Sequence, residues 1–142
     1  MFLTLPIFAV VLLSVQLPGY SKKQPVPDEK WGYVKVRKNA FMFWWFYGAQ
    51  VLSADRLNKP LVLWLQGGPG ASGTGYGNFV EIGPLDLNLK PRNTTWLKEA
   101  NLLFVDNPVG SGFSYVSDDQ YLTKNISGIC AGILKSILVS IS

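Results

Sequence analysis

Two short apolar runs on either side of a glycine-rich stretch constrain the fold of this chain more than any other feature. Leu61-Val62-Leu63-Trp64-Leu65 is entered at Pro60 and left at Gly67-Gly68. Asn101-Leu102-Leu103-Phe104-Val105-Asp106 repeats the design and ends at Asn107-Pro108. Runs of this length between turn residues predict strands buried on both faces, as in a parallel sheet covered by helices. Upstream, Trp31 to Val36 alternates enough to be a strand, Arg37-Lys38-Asn39 is turn-like, and Ala40 to Tyr47 is uncharged and aromatic-rich. These two segments predict an antiparallel hairpin opening the sheet. Beyond Asp119, the residues Tyr121, Ile126, Ile129, Ile133 and Ile137 recur at amphipathic-helix spacing, weakened by Gly128 and Gly132. The fold class is therefore α/β.

Residue counts remove several functions. A composition 48% hydrophobic and 15% charged excludes a disordered tail. The net charge of +4 is scattered, with no concentrated basic face for a phosphate track, so nucleic acid is not an expected partner. The sequence contains no histidine, so it cannot by itself assemble a Ser-His-Asp or Cys-His apparatus. One cysteine, Cys130, has no partner for an internal disulfide and reads as a small packed apolar residue. With no histidine beside it, no metal site is expected.

Residues 2–17 carry no charge and form an apolar core followed by small residues at Gly19 and Ser21. This is the layout of a secretory signal peptide, giving a predicted division into a signal peptide at 1–21 and a domain at 22–142. The run is shorter than the ~20 residues a spanning helix needs, and Pro6 interrupts it, so no stable membrane anchor is expected after cleavage. Asn93-Thr94-Thr95 and Asn125-Ile126-Ser127 fit the N-glycosylation pattern. Asn93 sits in a polar stretch and is the better-exposed candidate. Asn125 falls within the predicted helix, where it would be partly hidden. Asp118-Asp119 read as a solvated helix-start pair.

The sharpest motif is Trp64-Leu65-Gln66-Gly67-Gly68-Pro69-Gly70-Ala71-Ser72. A strand running into two glycines lets backbone N–H groups face a ligand without side-chain obstruction. After a hydrolase strand such a loop supplies an oxyanion hole, meeting the charge on a tetrahedral oxygen. A plain glycine turn and a phosphate cradle are the alternatives, although no Gly-Lys-Ser/Thr follows as in a P-loop.

Several ordered blocks carry a resemblance. WLQGGPGASGTGYGNFVEIGPL at Trp64 to Leu85 resembles the first signature of the serine carboxypeptidase family. NLLFVDNPVGSGFSY at Asn101 to Tyr115 is similar to that family's next strand and loop, and WGYVKVRKNAFMFWWFY at Trp31 to Tyr47 to its retinoid-inducible subgroup. The resemblance implies an α/β-hydrolase fold, secretory or lysosomal residence, no cofactor, and removal of residues from peptide C-termini, preferably at acidic pH. By the same resemblance Gly68 supplies one oxyanion-hole N–H, and Gln66 and Gly67 hydrogen-bond the substrate's terminal carboxylate, glutamine replacing the commoner asparagine. Ala71 stands in place of a usual cysteine. Val80 stands where the family commonly has a glutamate for carboxylate recognition, with Glu81 at the next position.

The family's nucleophile lies in a Gly-x-Ser-x-Gly elbow after the following strand, and this sequence has none. Gly112-Phe113-Ser114-Tyr115-Val116 ends in valine, and Ser114 is expected to be structural. The resemblance therefore predicts an N-terminal fragment or truncated isoform of a secreted serine carboxypeptidase, holding early strands, the oxyanion loop and one helix. On its own it should be inactive. It would also leave Leu61 to Leu65 as an unpaired edge, because the nucleophile strand would be its neighbour. The alternatives are a non-catalytic secreted module that holds peptide C-termini through the glycine loop, and a membrane-anchored structural protein.

Overall fold

The aromatic run Ala40–Tyr47 forms the strand, β2, that organises the sheet. A computed structural model describes residues 28–68 and 70–140 of the chain, so the predicted signal peptide lies outside the described residues. Strand β1 (Glu29–Arg37) runs antiparallel to β2 through a turn at Lys38-Asn39, with Trp31 opposite Trp45 and Val34 opposite Met42. A 3-10 turn at Ser53–Asn58 leads to β3 (Leu61–Leu65). Strand β4 (Asn101–Val105) then inserts between β2 and β3. It pairs antiparallel with β2, Phe104 facing Trp45, and parallel with β3, Leu103 facing Leu63. A short β5 (Tyr115–Val116) pairs with the start of β2, and the helix α1 (Ile126–Ser140) follows. The order β1-β2-β4-β3 makes a mixed sheet with few helices.

Side-chain alternation sorts the strands onto two cores. Tyr47, Leu102 and Phe104, with Trp45, Val62 and Trp64 beside them, pack under Ile82, Leu97 and Ala100 from the connection between β3 and β4. Met42, Leu103 and Val105, with Val36, Trp44 and Leu63, form the opposite core, where Val36 and Met42 lie against Gly132 of α1. The central strand β4 is buried at every residue.

Four sequence expectations need correcting. Strand β3 is not buried on both faces: Leu61 is 42% and Leu65 39% exposed, because only β4 flanks it among the described residues. The last helix begins at Ile126, and Asp119–Tyr121 is a separate 3-10 turn capped by Asp118. Asn125 therefore precedes the helix rather than lying in it, and its Oδ1 caps it by accepting the Gly128 N–H at 2.8 Å. Cys130 is exposed, since α1 turns Gly132 and Ser136 inward and Cys130 outward.

Candidate functional site

The parallel pairing with β4 aims β3 so that its C-terminal end delivers Gln66, Gly67 and Gly68 to one rim of the sheet. Gly68 has φ +137°, in the region L side chains rarely adopt, so the turn at this point requires glycine. Gly67 and Gly68 are exposed, and a Cβ added at Gly67 would meet nothing within 4 Å. This stretch of backbone is open to a ligand.

Gln66 is half-buried and fixed at both ends of its amide. Its Oε1 accepts the Trp64 indole N–H at 2.9 Å, and its Nε2 donates to Glu81 Oε1 at 3.5 Å. Glu81 comes from the segment Gly73–Ile82, part of the glycine-rich stretch, which folds as a wide π-helix in which the Gly83 N–H reaches Asn78 O at 3.0 Å. Ser72 caps this helix by accepting the Gly75 N–H. The helix can lie this close to β3 because of Gly77, where a Cβ would sit 2.5 Å from the Trp64 indole and 3.1 Å from Gln66 Oε1. The second carboxyl oxygen of Glu81 is buried and has no hydrogen-bond partner. The rim thus holds the Gln66 amide, steadied from behind by the Glu81 carboxyl, and exposed glycine backbone. Amide and backbone N–H donors of this kind can hold a terminal carboxylate.

The resemblance assigns the carboxylate-recognition position to Val80 and names Glu81 only as its neighbour, and it is Glu81 that meets Gln66. The signal for Glu81 was its place one helical turn after Gly77. Ser114 is 3% exposed and its hydroxyl is fully engaged, accepting the Phe43 N–H at 2.8 Å and donating to Asp106 O at 2.6 Å. It staples the end of β4 to β2. Both sequon asparagines, Asn93 and Asn125, are exposed, whereas Thr95 of the first sequon is buried, its hydroxyl donating to Ile82 O and accepting the Leu97 N–H.

A family profile described as serine carboxypeptidase matches residues 18–137. The chain belongs to the serine carboxypeptidase family. Retinoid-inducible serine carboxypeptidase of Mus musculus is 55% identical over 112 residues, which is 79% of this chain and 25% of the mouse protein. The Homo sapiens protein of the same name is 57% identical over 106 residues, 75% of this chain and 24% of its own length. Serine carboxypeptidase-like 51 of Arabidopsis thaliana is 61% identical over 95 residues, 66% of this chain and 20% of that protein. The chain thus spans a quarter or less of the length of these relatives. Membership in the serine carboxypeptidases relates this sequence to a family of hydrolases and proteases. It implies an α/β-hydrolase fold, with which the mixed sheet is consistent as a part.

Proposed function

We propose that this chain carries the oxyanion loop and the C-terminal-carboxylate site of a secreted serine carboxypeptidase, and that it does not hydrolyse peptides alone. The observation that carries the reading is the convergence of Gln66, Glu81 and the exposed Gly67-Gly68 backbone at the end of β3. In this reading Gln66 Nε2 and the Gly67 N–H donate to the substrate's terminal carboxylate, and Glu81 holds the Gln66 amide in place by accepting its other N–H. Gly68 N–H takes the oxyanion.

Inactivity rests on composition: the 142 residues include no histidine and no Gly-x-Ser-x-Gly elbow. The near match at Gly112–Val116 places Ser114 in a buried staple. Secretory or lysosomal residence and glycosylation at Asn93 and Asn125 rest on the apolar leader, the sequons and the kinship. Among the described residues no helix is long and apolar enough to cross a membrane.

The same rim favours a second reading, a non-catalytic module that retains peptide C-termini, because carboxylate capture needs none of the missing groups. One titration tests the binding that both readings share. An N-blocked dipeptide with a free C-terminus should perturb the Gly67 and Gln66 resonances of the labelled chain, whereas its C-terminal amide should not. Equal responses to acid and amide would remove the carboxylate site. Turnover of the dipeptide would refute inactivity.

A further inference from the structure

The described residues of the loop leaving β3, Gly67, Gly68, Gly70 and Ala71, stand clear of the body of the molecule, so their placement is set from the loop's two ends. A Cβ built on Gly67 or Gly70 meets nothing within 4 Å, and Gly67, Gly68, Gly70 and Ala71 are all exposed. The near end is held by β3, whose Leu65 pairs with Val105 of β4. At the far end, one side chain ties Ser72 and Thr74 to the end of β4. Asp106 immediately follows β4 and is 0% exposed. Its Oδ1 accepts from Ser72 Oγ at 2.8 Å and from Thr74 N at 3.0 Å. Its Oδ2 accepts from Thr74 Oγ1 at 2.7 Å and from Phe113 N at 2.8 Å.

We propose that Asp106 is the positioning residue of the oxyanion loop: its buried carboxylate clamps the loop's far end to the end of β4 and so fixes where Gly67 and Gly68 stand relative to Gln66. The inference rests on the reading of this loop as an oxyanion and carboxylate site, and Asp106 itself does not touch substrate. Three of its four bonds go to Ser72 and Thr74, the residues at which the loop enters the Gly73–Ile82 helix. Ser72 passes the constraint on, because the hydroxyl that donates to Asp106 also accepts the Gly75 N–H at 2.8 Å. A negative group at a helix N-terminus is electrostatically favoured as well, so the clamp and the helix reinforce each other. Both ends of the loop are thereby referred to one strand end. Donors aimed at a developing charge lose their effect when displaced by more than about 0.5 Å, which is why an otherwise unsupported glycine loop needs such a clamp.

The experiment uses the full chain, isotope-labelled, and follows the amide resonances and exchange of Gly67, Gly68 and Gly70. Asp106→Asn keeps the acceptor at Oδ1 and loses both bonds at Oδ2, while Thr74→Val removes one hydroxyl at nearly constant shape. Both are expected to shift these amides and to speed their exchange about tenfold. Exchange at residues 101–105 should stay protected, and affinity for the N-blocked dipeptide acid should fall about tenfold. Ser114→Ala, which removes a hydroxyl bonded to the backbone of Asp106 and not to the loop, should leave the glycine amides in place. Unmoved glycine amides in Thr74→Val and Asp106→Asn overturn the proposal, as does an equal response to Ser114→Ala. If Asp106→Asn does not fold, Thr74→Val decides alone. If the unmodified chain binds no dipeptide acid, the functional reading fails, while the amide measurements still decide whether Asp106 positions the loop.

Discussion

Tyr47 and Asn78 show how single groups hold the wide helix over the sheet. Asn78 is fully buried and its Nδ2 donates to the Tyr47 hydroxyl at 3.0 Å. Tyr47→Phe removes that acceptor and leaves a buried amide without its partner, so a loss of about 1–3 kcal/mol is expected in denaturant unfolding. Burial, with a smaller lowering by the Asn78 hydrogen bond, pushes the Tyr47 phenol well above the ordinary tyrosine range. A raised folded-state value means that its contribution is intact below the unfolded tyrosine range and lost as pH rises above it. Alkaline titration of unfolding should therefore show a loss of stability that Tyr47→Phe lacks. Asp86 has the opposite sign. The Lys90 N–H, and after it the Asn88 N–H, hold its carboxyl below the usual range by donating to Oδ1 at 2.9 and 2.8 Å. Its turn is thus intact above the unfolded aspartate range and loosens as pH falls through the lowered value. Amide exchange at Asn88 and Lys90 should rise in acid, and an exchange rate insensitive to acid would refute the assignment.

At the scale of elements, the sheet was legible because period-two alternation and turn residues mark strands wherever both are present. The hairpin β1-β2 and the paired runs β3 and β4 form where their patterns place them. Burial was less legible. The sequence of β3 is as apolar as that of β4, but apolarity records what a strand is suited to be covered by and not whether that cover lies among these residues. The Gly73–Ile82 helix was missed because its glycines depress helix propensity and it closes through wide turns, while the Ser72 cap was the available signal. The site was legible at Gln66 to Gly68 through the glycine pair, and illegible at Glu81 because a contact across a helix leaves no mark in local sequence. The exposed edge carries a prediction of its own. Leu61 and Leu65 are the most exposed residues of an uncharged strand, and such edges pair with other chains. The purified chain should self-associate with rising concentration, and Leu61→Lys or Leu65→Lys should reduce that association while leaving the circular dichroism unchanged. Association unaffected by either lysine would place the contact elsewhere.

For the whole molecule, the covers on the sheet's two faces end abruptly in apolar surface. One face lies under the Gly73–Lys98 connection, and the other rests on α1. The helix that covers the second face is apolar outward as well, with Ile126 78%, Leu134 63% and Leu138 68% exposed. Ile126, Leu134 and Leu138 thus give α1 a second apolar stripe beside the exposed Ser127 and Lys135, and such a stripe expects cover. Beyond β2, Trp31 at 63% and Phe113 at 58% exposure continue the apolar surface. At about 25 cal/mol for each Å² left wet, side chains of this size each forgo about 1.5–3 kcal/mol relative to burial. A domain of ordinary size has only about 5–15 kcal/mol of stability in total, so several such residues are enough to erode it. The chain alone is therefore expected to unfold over a broad denaturant range, to bind an apolar dye before the transition, and to be lost to aggregation unless a partner covers α1 and β3. Sedimentation, dye binding and an unfolding curve on the purified 22–142 segment test this. A monomer that binds no dye and unfolds in one sharp step would mean that the two cores suffice and that this outer surface carries no demand for cover.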